Sequence, residues 1–105
     1  MAKYQMKTYF KPFGKNSNFK PDGGCGAIVF KNTGDMPAII NDVWRLEPGD
    51  ETPTISTGHP DVVDITEYSV AFDESAGGTS KSVTAIYTQT VPITIKSGAA
   101  HCDQF

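Results

Sequence analysis

Cysteine and histidine are scarce in this sequence of 105 residues, which holds two of each. Two cysteines cannot form the framework of several disulfides that staples small secreted domains. They leave two alternatives: a buried thiol at Cys25 with a free thiol at Cys102 in the tail, or one disulfide between them. His101 and Cys102 are adjacent, whereas structural zinc sites draw their ligands from two short knuckles, so zinc is not expected.

Long apolar runs and helical periodicity are also missing. No segment approaches the length of a membrane span. The N-terminus carries a lysine at every fourth position in place of the apolar stretch of a secretion signal. We therefore expect synthesis in a cytosol and no contact with a membrane. No window repeats apolar residues at i, i+3, i+4 and i+7, so no helix is predicted.

Catalytic and cofactor-binding motifs are absent as well. The glycine-rich stretch GGCGAIVF enters a predicted strand and no lysine follows it, which excludes a phosphate-binding loop. Neither histidine lies in a motif that supplies a nucleophile and an orienting group. The acidic residues cluster at turns, where a solvated rim explains them and a weak calcium site is the alternative. We expect a protein that is not an enzyme and holds no cofactor.

Acidic residues are missing from the first 20 positions, which contain five lysines. The remaining residues include four basic and twelve acidic ones, so a basic segment precedes an acidic body. Aromatic side chains interleave with the lysines. The residues predicted to contact a partner are the basic and aromatic ones of this segment: Lys3, Tyr4, Lys7, Tyr9, Lys11, Phe13, Lys15 and Phe19.

Three interpretations fit this basic segment. It can dock on an acidic protein surface, with the aromatic side chains as anchors. It can bind nucleic acid, with lysines on phosphates and aromatics on bases, although a net charge of −3 makes this the weaker hypothesis. It can also be an ordinary first strand whose basic face is solvated.

Alternation with period two is the dominant pattern in the sequence, and it predicts β-strands. In KYQMKTYFK, the apolar face contains Tyr4, Met6, Thr8 and Phe10, and the opposite face is basic. Segments 66–72 and 82–90 are predicted to pair as one long hairpin with a flexible tip at 73–81. The other predicted strands are 27–32, 38–46, 54–57 and 91–96.

About seven strands with turn signals every 8–12 residues favour an all-β fold, a single antiparallel β-sandwich over residues 1–105. A jelly roll is the alternative. Within this domain we assign 1–24 as a basic docking arm that leaves the body at the glycine loop. Residues 97–105 form a patternless C-terminal tail.

Two stretches resemble immunoglobulin-like domains. DITEYSV matches the pattern that opens one core strand of that fold, and VFKNTGDMPAIINDVWRLEPGDE resembles its strand–turn–strand region. The resemblance implies that Tyr68 packs in the core, with its hydroxyl tied to the backbone before the strand, and that Trp44 is also in the core. Cys25 would pack nearby as a small apolar residue. Val70 stands where an antibody domain has its second cysteine, so no disulfide joins the sheets.

The overall look of the chain is similar to that of small bacteriophage virion structural proteins. This resemblance implies a capsid decoration, head-fibre base or tail-associated protein that docks on other virion proteins in many copies or as a homo-oligomer. The alternative is an immunoglobulin-like module that binds a carbohydrate or a cell-surface ligand. That alternative predicts an exposed aromatic platform at Trp44 or Tyr87.

Overall fold

The computed structural model describes residues 4–59 and 61–92 of the chain. These residues form eight strands and one turn of 3₁₀ helix, Glu74–Ala76. The strands are β1 Tyr4–Phe13, β2 Ser17–Phe19, β3 Ala27–Asn32, β4 Ala38–Ile40, β5 Trp44–Leu46, β6 Ile55–Ser56, β7 Tyr68–Phe72 and β8 Val83–Pro92.

The strands form two antiparallel sheets of four strands each, which confirms the predicted all-β sandwich. The first sheet has the order β1-β8-β3-β6 and the second has the order β2-β7-β4-β5. Alternate residues of each strand point into the space between the sheets. The buried apolar residues are Phe13, Cys25, Ile28, Phe30, Met36, Ala38, Ile40, Leu46, Tyr68, Val70, Phe72, Val83 and Ala85.

The predicted hairpin between the two strands that flank the 73–82 loop is wrong. β7 belongs to the second sheet and β8 to the first, so this loop crosses from one sheet to the other. Asp35 holds the crossing, because one of its carboxylate oxygens accepts hydrogen bonds from the main-chain N–H groups of Thr79 (2.9 Å) and Ser80 (2.7 Å). The same bonds lower the pKa of Asp35, that from Ser80 most.

The segment predicted as one strand over 38–46 is a hairpin. Asn41 and Asp42 both have positive φ (52° and 63°), and the N–H of Val43 donates to the carbonyl of Ile40 at 3.2 Å. Asparagine and aspartate tolerate this left-handed conformation better than other residues with side chains, which suits them to a tight hairpin turn. The turn moves Trp44 onto β5, an edge strand of the second sheet.

The assignment of 1–24 as an arm that leaves the body is also corrected. β1 pairs with β8 along its full ten residues, and β2 pairs with β7. The chain therefore contributes one strand to each sheet before it reaches the glycine loop. That loop is fastened to the body, because Cys25 and Asp64 exchange two main-chain hydrogen bonds (3.0 and 2.7 Å).

Asn32 is a fully buried polar side chain that joins the two sheets. It lies at the end of β3, and its amide nitrogen donates to the carbonyls of Met36 (2.9 Å) and Leu46 (3.1 Å), the latter on β5 of the opposite sheet. Its amide oxygen accepts from the N–H of Gly34 at 3.0 Å. One side chain therefore satisfies three backbone groups at the sandwich edge.

We predict that Asn32→Leu, which keeps the side-chain volume, lowers the free energy of unfolding by about 3 kcal/mol. Leucine removes the side-chain bonds to the carbonyls of Met36 and Leu46, whereas the N–H of Gly34 keeps its bond to the carbonyl of Ser82 at 3.0 Å. Each unsatisfied buried group costs about 1–3 kcal/mol. Urea denaturation at neutral pH measures the change. Asn18→Leu, the same substitution at an exposed position of β2, is the control and should change the value by about 0.5 kcal/mol or less. Equal effects of the two variants would contradict this role for Asn32.

Candidate interaction surfaces

The apolar face of β1 is exposed to solvent. Met6, Thr8 and Phe10 point away from the core, and 68% of Met6 and 67% of Phe10 are accessible to solvent. Phe10 lies opposite Ile86 of β8, which lies opposite Val29 of β3. These three side chains form an apolar row across the outer face of the first sheet, with Met6 beside it.

The opposite face of β1 points into the sandwich and carries two aromatic residues, Tyr9 and Phe13. Phe13 is buried and packs edge-on against Phe19, with ring centroids 5.4 Å apart. Phe19 also contacts Tyr87, on which Tyr9 stacks at 5.2 Å. Lys7 covers this stack from outside, with its Nζ atom 5.5 Å from the Tyr9 ring centroid.

These positions correct the predicted partner-binding set. Phe13 and Phe19 pack inside the molecule, so they are not available as anchors for a partner. Lys7, Lys11 and Lys15 are exposed. Lys3 and the side chain of Tyr4 lie outside the described residues. The large apolar side chains that β1 offers to a partner are Met6 and Phe10, which the predicted partner-binding set did not include.

Trp44 lies at the surface, which corrects its predicted place in the core. Its side chain is 48% exposed because β5 is the edge of the second sheet and follows a tight turn. With Ile40, Pro53, Ile55 and Tyr68 it lines a groove of about 200 Å³ between the open edges of the two sheets.

The walls of this groove are almost entirely apolar, although Thr52 and Asn41 also line it. Thr52 makes two hydrogen bonds to the main chain of Phe30 on β3. The N–H of Phe30 donates to the threonine hydroxyl at 3.0 Å, and the N–H of Thr52 donates to the carbonyl of Phe30 at 2.9 Å. The oxygen of the Asn41 side chain accepts from the N–H of Ser69 at 2.7 Å. The groove can therefore receive an apolar group.

Cys25, Asp64 and Tyr68 form a cluster of titratable groups at the glycine loop. The Tyr68 hydroxyl donates to the carboxylate of Asp64 at 2.5 Å, rather than to the backbone as the immunoglobulin resemblance implied. Burial and then the charge of Asp64 raise the pKa of Cys25 to about 11. The thiol is therefore protonated at neutral pH and is a poor nucleophile.

Burial also raises the pKa of Tyr68, and the hydrogen bond to Asp64 adds to the effect. For Asp64, burial acts to raise the pKa, but hydrogen bonds from Thr66 and Tyr68 outweigh it and the pKa is lowered. A protonated tyrosine thus faces an ionised carboxylate, which is a stable structural pair. It is not a pair poised to exchange a proton.

The other candidate ligands are dispersed. Among residues 4–59 and 61–92, no three histidine, cysteine, aspartate or glutamate side chains gather as a metal site. Asp73 pairs with Arg45 at 2.7 Å and Glu74 with Lys81 at 2.8 Å. His101 and Cys102 lie outside the described residues. Cys25 is a free, buried thiol. None of the helical residues in the described ranges forms a segment that could cross a membrane.

Comparison with known proteins adds no relative to this description. No protein-family model matches the chain, and no curated protein or solved structure matches it. Function is therefore inferred from the two apolar surfaces, the outer face of β1 and the Trp44 groove.

We predict that Trp44, the only tryptophan, is readily quenched by acrylamide in the folded protein and emits at a longer wavelength than a core tryptophan. The half-exposed indole is in contact with water, so quencher and solvent both reach it. Fluorescence of the native chain, with the urea-unfolded chain as reference, measures this. Blue-shifted emission that resists acrylamide would place Trp44 in the core and contradict the edge position of β5.

We predict that Tyr68→Phe lowers the free energy of unfolding by about 1.5 kcal/mol at pH 7, the value of a hydrogen bond to a charged group. Because the pKa of Asp64 is lowered on folding, its ionised form stabilises the protein above the unfolded pKa of about 3.9. That contribution is lost as the pH falls through the folded pKa, so the difference from wild type should shrink below about pH 4.

Urea denaturation of both proteins at several pH values measures this change. Tyr87→Phe is the matched control, because the Tyr87 hydroxyl makes no hydrogen bond within the described residues and its removal should have no such pH dependence. A Tyr68→Phe effect that stays constant between pH 7 and pH 3 would show that the ionised carboxylate of Asp64 is not the partner.

Proposed function

We propose that this protein is a non-enzymatic structural subunit that docks on neighbouring protein subunits in a larger assembly, and that the assembly is a virion. The observation that carries the proposal is the outer face of β1, where Met6 and Phe10 are about two-thirds exposed on an edge strand. Large apolar side chains grouped on one face are typical of protein–protein contacts.

Burial of this face against a partner is favourable in free energy. Complete burial of a phenylalanine or methionine side chain contributes about 1.5–3 kcal/mol each. The row formed by Phe10, Ile86 and Val29 extends the apolar surface across three strands, so a partner gains contact with the sheet and not only with its edge. A flat sheet face of this kind suits a protein partner better than a small ligand, which binds in a concave site.

Charge gives the surface a preferred partner. Lys7, Lys11 and Lys15 are exposed along and after β1, and the first 20 residues contain no acid. An acidic surface on the neighbouring subunit complements these lysines, speeds the encounter and fixes its orientation. In a virion lattice, many copies compensate for a small single interface through avidity.

We predict that a tagged chain, produced in the host that carries its gene and, for a virus, during infection, sediments with assembled particles. Phe10→Asp should lower its incorporation at least about tenfold, because the loss of one buried phenylalanine exceeds the 1.4 kcal/mol that corresponds to a factor of ten. Sedimentation of cleared lysates followed by immunoblotting of the particle fraction measures incorporation.

Asn18→Asp is the matched control, because Asn18 is exposed on β2 of the other sheet and should be incorporated as the wild type is. Both variants are checked for folding by urea denaturation. A wild-type chain that stays with the small soluble proteins, or a folded Phe10→Asp chain that enters particles normally, would overturn the proposal.

A second function, as a module that binds a carbohydrate or cell-surface ligand, is favoured by the Trp44 groove. The exposed indole offers a flat apolar face on which a sugar ring can stack, beside Pro53 and Ile55. Titration of the purified chain with a glycan panel, followed by Trp44 fluorescence, tests it. A saturable change that Ile55→Asp abolishes would support this function, and no change with any glycan would reject it.

A further inference from the structure

We propose that the partner which pairs with the free edge of β1 is a second copy of this chain. The two β1 strands run antiparallel about a two-fold axis at Thr8 and join the two first sheets into one continuous eight-stranded sheet. This inference rests on the proposed function, because it uses the same strand. It assigns the main-chain edge of β1 to a second copy, while the exposed lysines and the outer apolar row stay open to the acidic neighbouring subunit.

The main-chain groups of β1 that face the edge can be identified from β8. The carbonyls of Ser82 and Thr88 accept hydrogen bonds from the N–H groups of Thr33 (2.9 Å) and Gly26 (2.8 Å), so the even-numbered residues of β8 turn their polar groups toward β3 and the segments that flank it. Main-chain groups alternate in direction along a strand, so the odd-numbered residues of β8 face β1.

The register between β1 and β8 determines which main-chain groups of β1 face β8 and which face the free edge. Odd residues of β8 lie opposite odd residues of β1, such as Tyr87 opposite Tyr9, and these pairs exchange the hydrogen bonds. Met6, Thr8 and Phe10 therefore direct their N–H and C=O groups to the free edge. Pro12 belongs to the same even-numbered set, and its lack of an N–H is compatible only with that side of the strand.

Within the described residues, β1 is the outermost strand of its sheet and has no second neighbour. Pairing about Thr8 places Thr8 opposite Thr8 of the partner and Met6 opposite Phe10 of the partner. These opposed residues supply about six main-chain hydrogen bonds. The exposed side chains of Met6 and Phe10 become neighbours across the junction, where sulfur and aromatic ring contact favourably.

Charge selects this register over its neighbours. On the inner face, Lys7 lies opposite Tyr9 of the partner and Lys11 lies opposite Gln5, so no two lysines meet. A shift of two residues in one direction opposes Lys7 to Lys11, and a shift of two in the other opposes Lys7 to itself. Either arrangement destabilises the pair, because like charges then face each other directly.

The other registers lose main-chain hydrogen bonds or the contact between Met6 and Phe10. A shift of one residue turns the Met6–Phe10 faces of the two copies to opposite sides of the sheet. A shift of four that centres the pair on Phe10 opposes Thr8 to Pro12, which lacks an N–H to donate. A shift of four in the other direction centres the pair on Met6, so Met6 and Phe10 no longer lie opposite each other. The sequence of β1 is therefore complementary to itself at Thr8.

We predict that the purified full-length chain is a dimer by light scattering coupled to size-exclusion chromatography, and that dilution dissociates it. Thr8→Pro should make it monomeric, because proline removes the N–H at the two-fold axis. That N–H faces away from β8, so no bond within the chain is lost and stability to urea should change little. Thr8→Val keeps the N–H and is the matched control, which should remain dimeric.

Cysteine cross-linking in a Cys102→Ser background tests the register. Directly opposed residues of a hydrogen-bonded pair have Cα atoms about 5.5 Å apart, which suits a disulfide. On mild oxidation, Thr8→Cys should link to itself. Met6→Cys should not link to itself but should link to Phe10→Cys when the two variants are mixed. The buried thiol of Cys25 should not compete.

The outcomes separate this inference from the proposed function. A chain that is monomeric at all concentrations overturns the inference, even if it enters particles, because its neighbour is then a different protein. A dimer that never enters particles supports the inference and overturns the assembly function. A dimer in which Thr8→Pro also remains dimeric, or in which Met6→Cys links to itself as readily as Thr8→Cys, overturns pairing about Thr8.

Discussion

The hydrogen bonding of β8 to two neighbours at once is the constraint on which the rest of the molecule depends. β8 is an inner strand of the first sheet, and it pairs with β1 over ten residues and with β3 over six. Because its polar groups alternate in direction, it fixes which residues of β1 are used inside the sheet and which face the free edge. Its side chains alternate as well, so Val83 and Ala85 are buried while Ile86 belongs to the outer apolar row.

This constraint places the two candidate surfaces at opposite edges of the molecule. β1 is one edge of the first sheet, and β6, which carries Ile55 of the Trp44 groove, is the other. A partner on the β1 face therefore leaves the groove open, and both surfaces can be occupied at the same time. A dimer built through β1 would carry two such grooves on its outer sides, which is a suitable arrangement for a subunit that links a lattice to a further ligand.

Much of the fold could be predicted from the sequence, because period-two alternation is a local property. The strand content and two-sheet class followed from it. The inward face of β1 did not, because both faces carry large apolar or aromatic residues: Met6 and Phe10 on one, Tyr9 and Phe13 on the other. Only the packing of Phe13 on Phe19 of the second sheet decides between them.

The candidate surfaces were predictable only in part. The lysines of β1 could be named as exposed, but Trp44 was misplaced because the run 38–46 looks like one strand. The Asn41–Asp42 pair was the available signal, since adjacent residues of these types favour a hairpin turn. Which strands share a sheet depends on contacts between residues far apart in sequence, so the crossing between β7 and β8 was not visible in any local pattern.

Amide hydrogen exchange along β1, followed by NMR at low and high protein concentration, shows directly whether this edge pairs with a second copy. We expect the amides of Lys7, Tyr9 and Lys11 to be protected at both concentrations, because they bond to β8. The amides of Met6, Thr8 and Phe10 should exchange rapidly when the protein is dilute and become protected as its concentration rises. If these three exchange rapidly at every concentration, or if protection does not alternate along the strand, β1 is not the self-complementary edge described above.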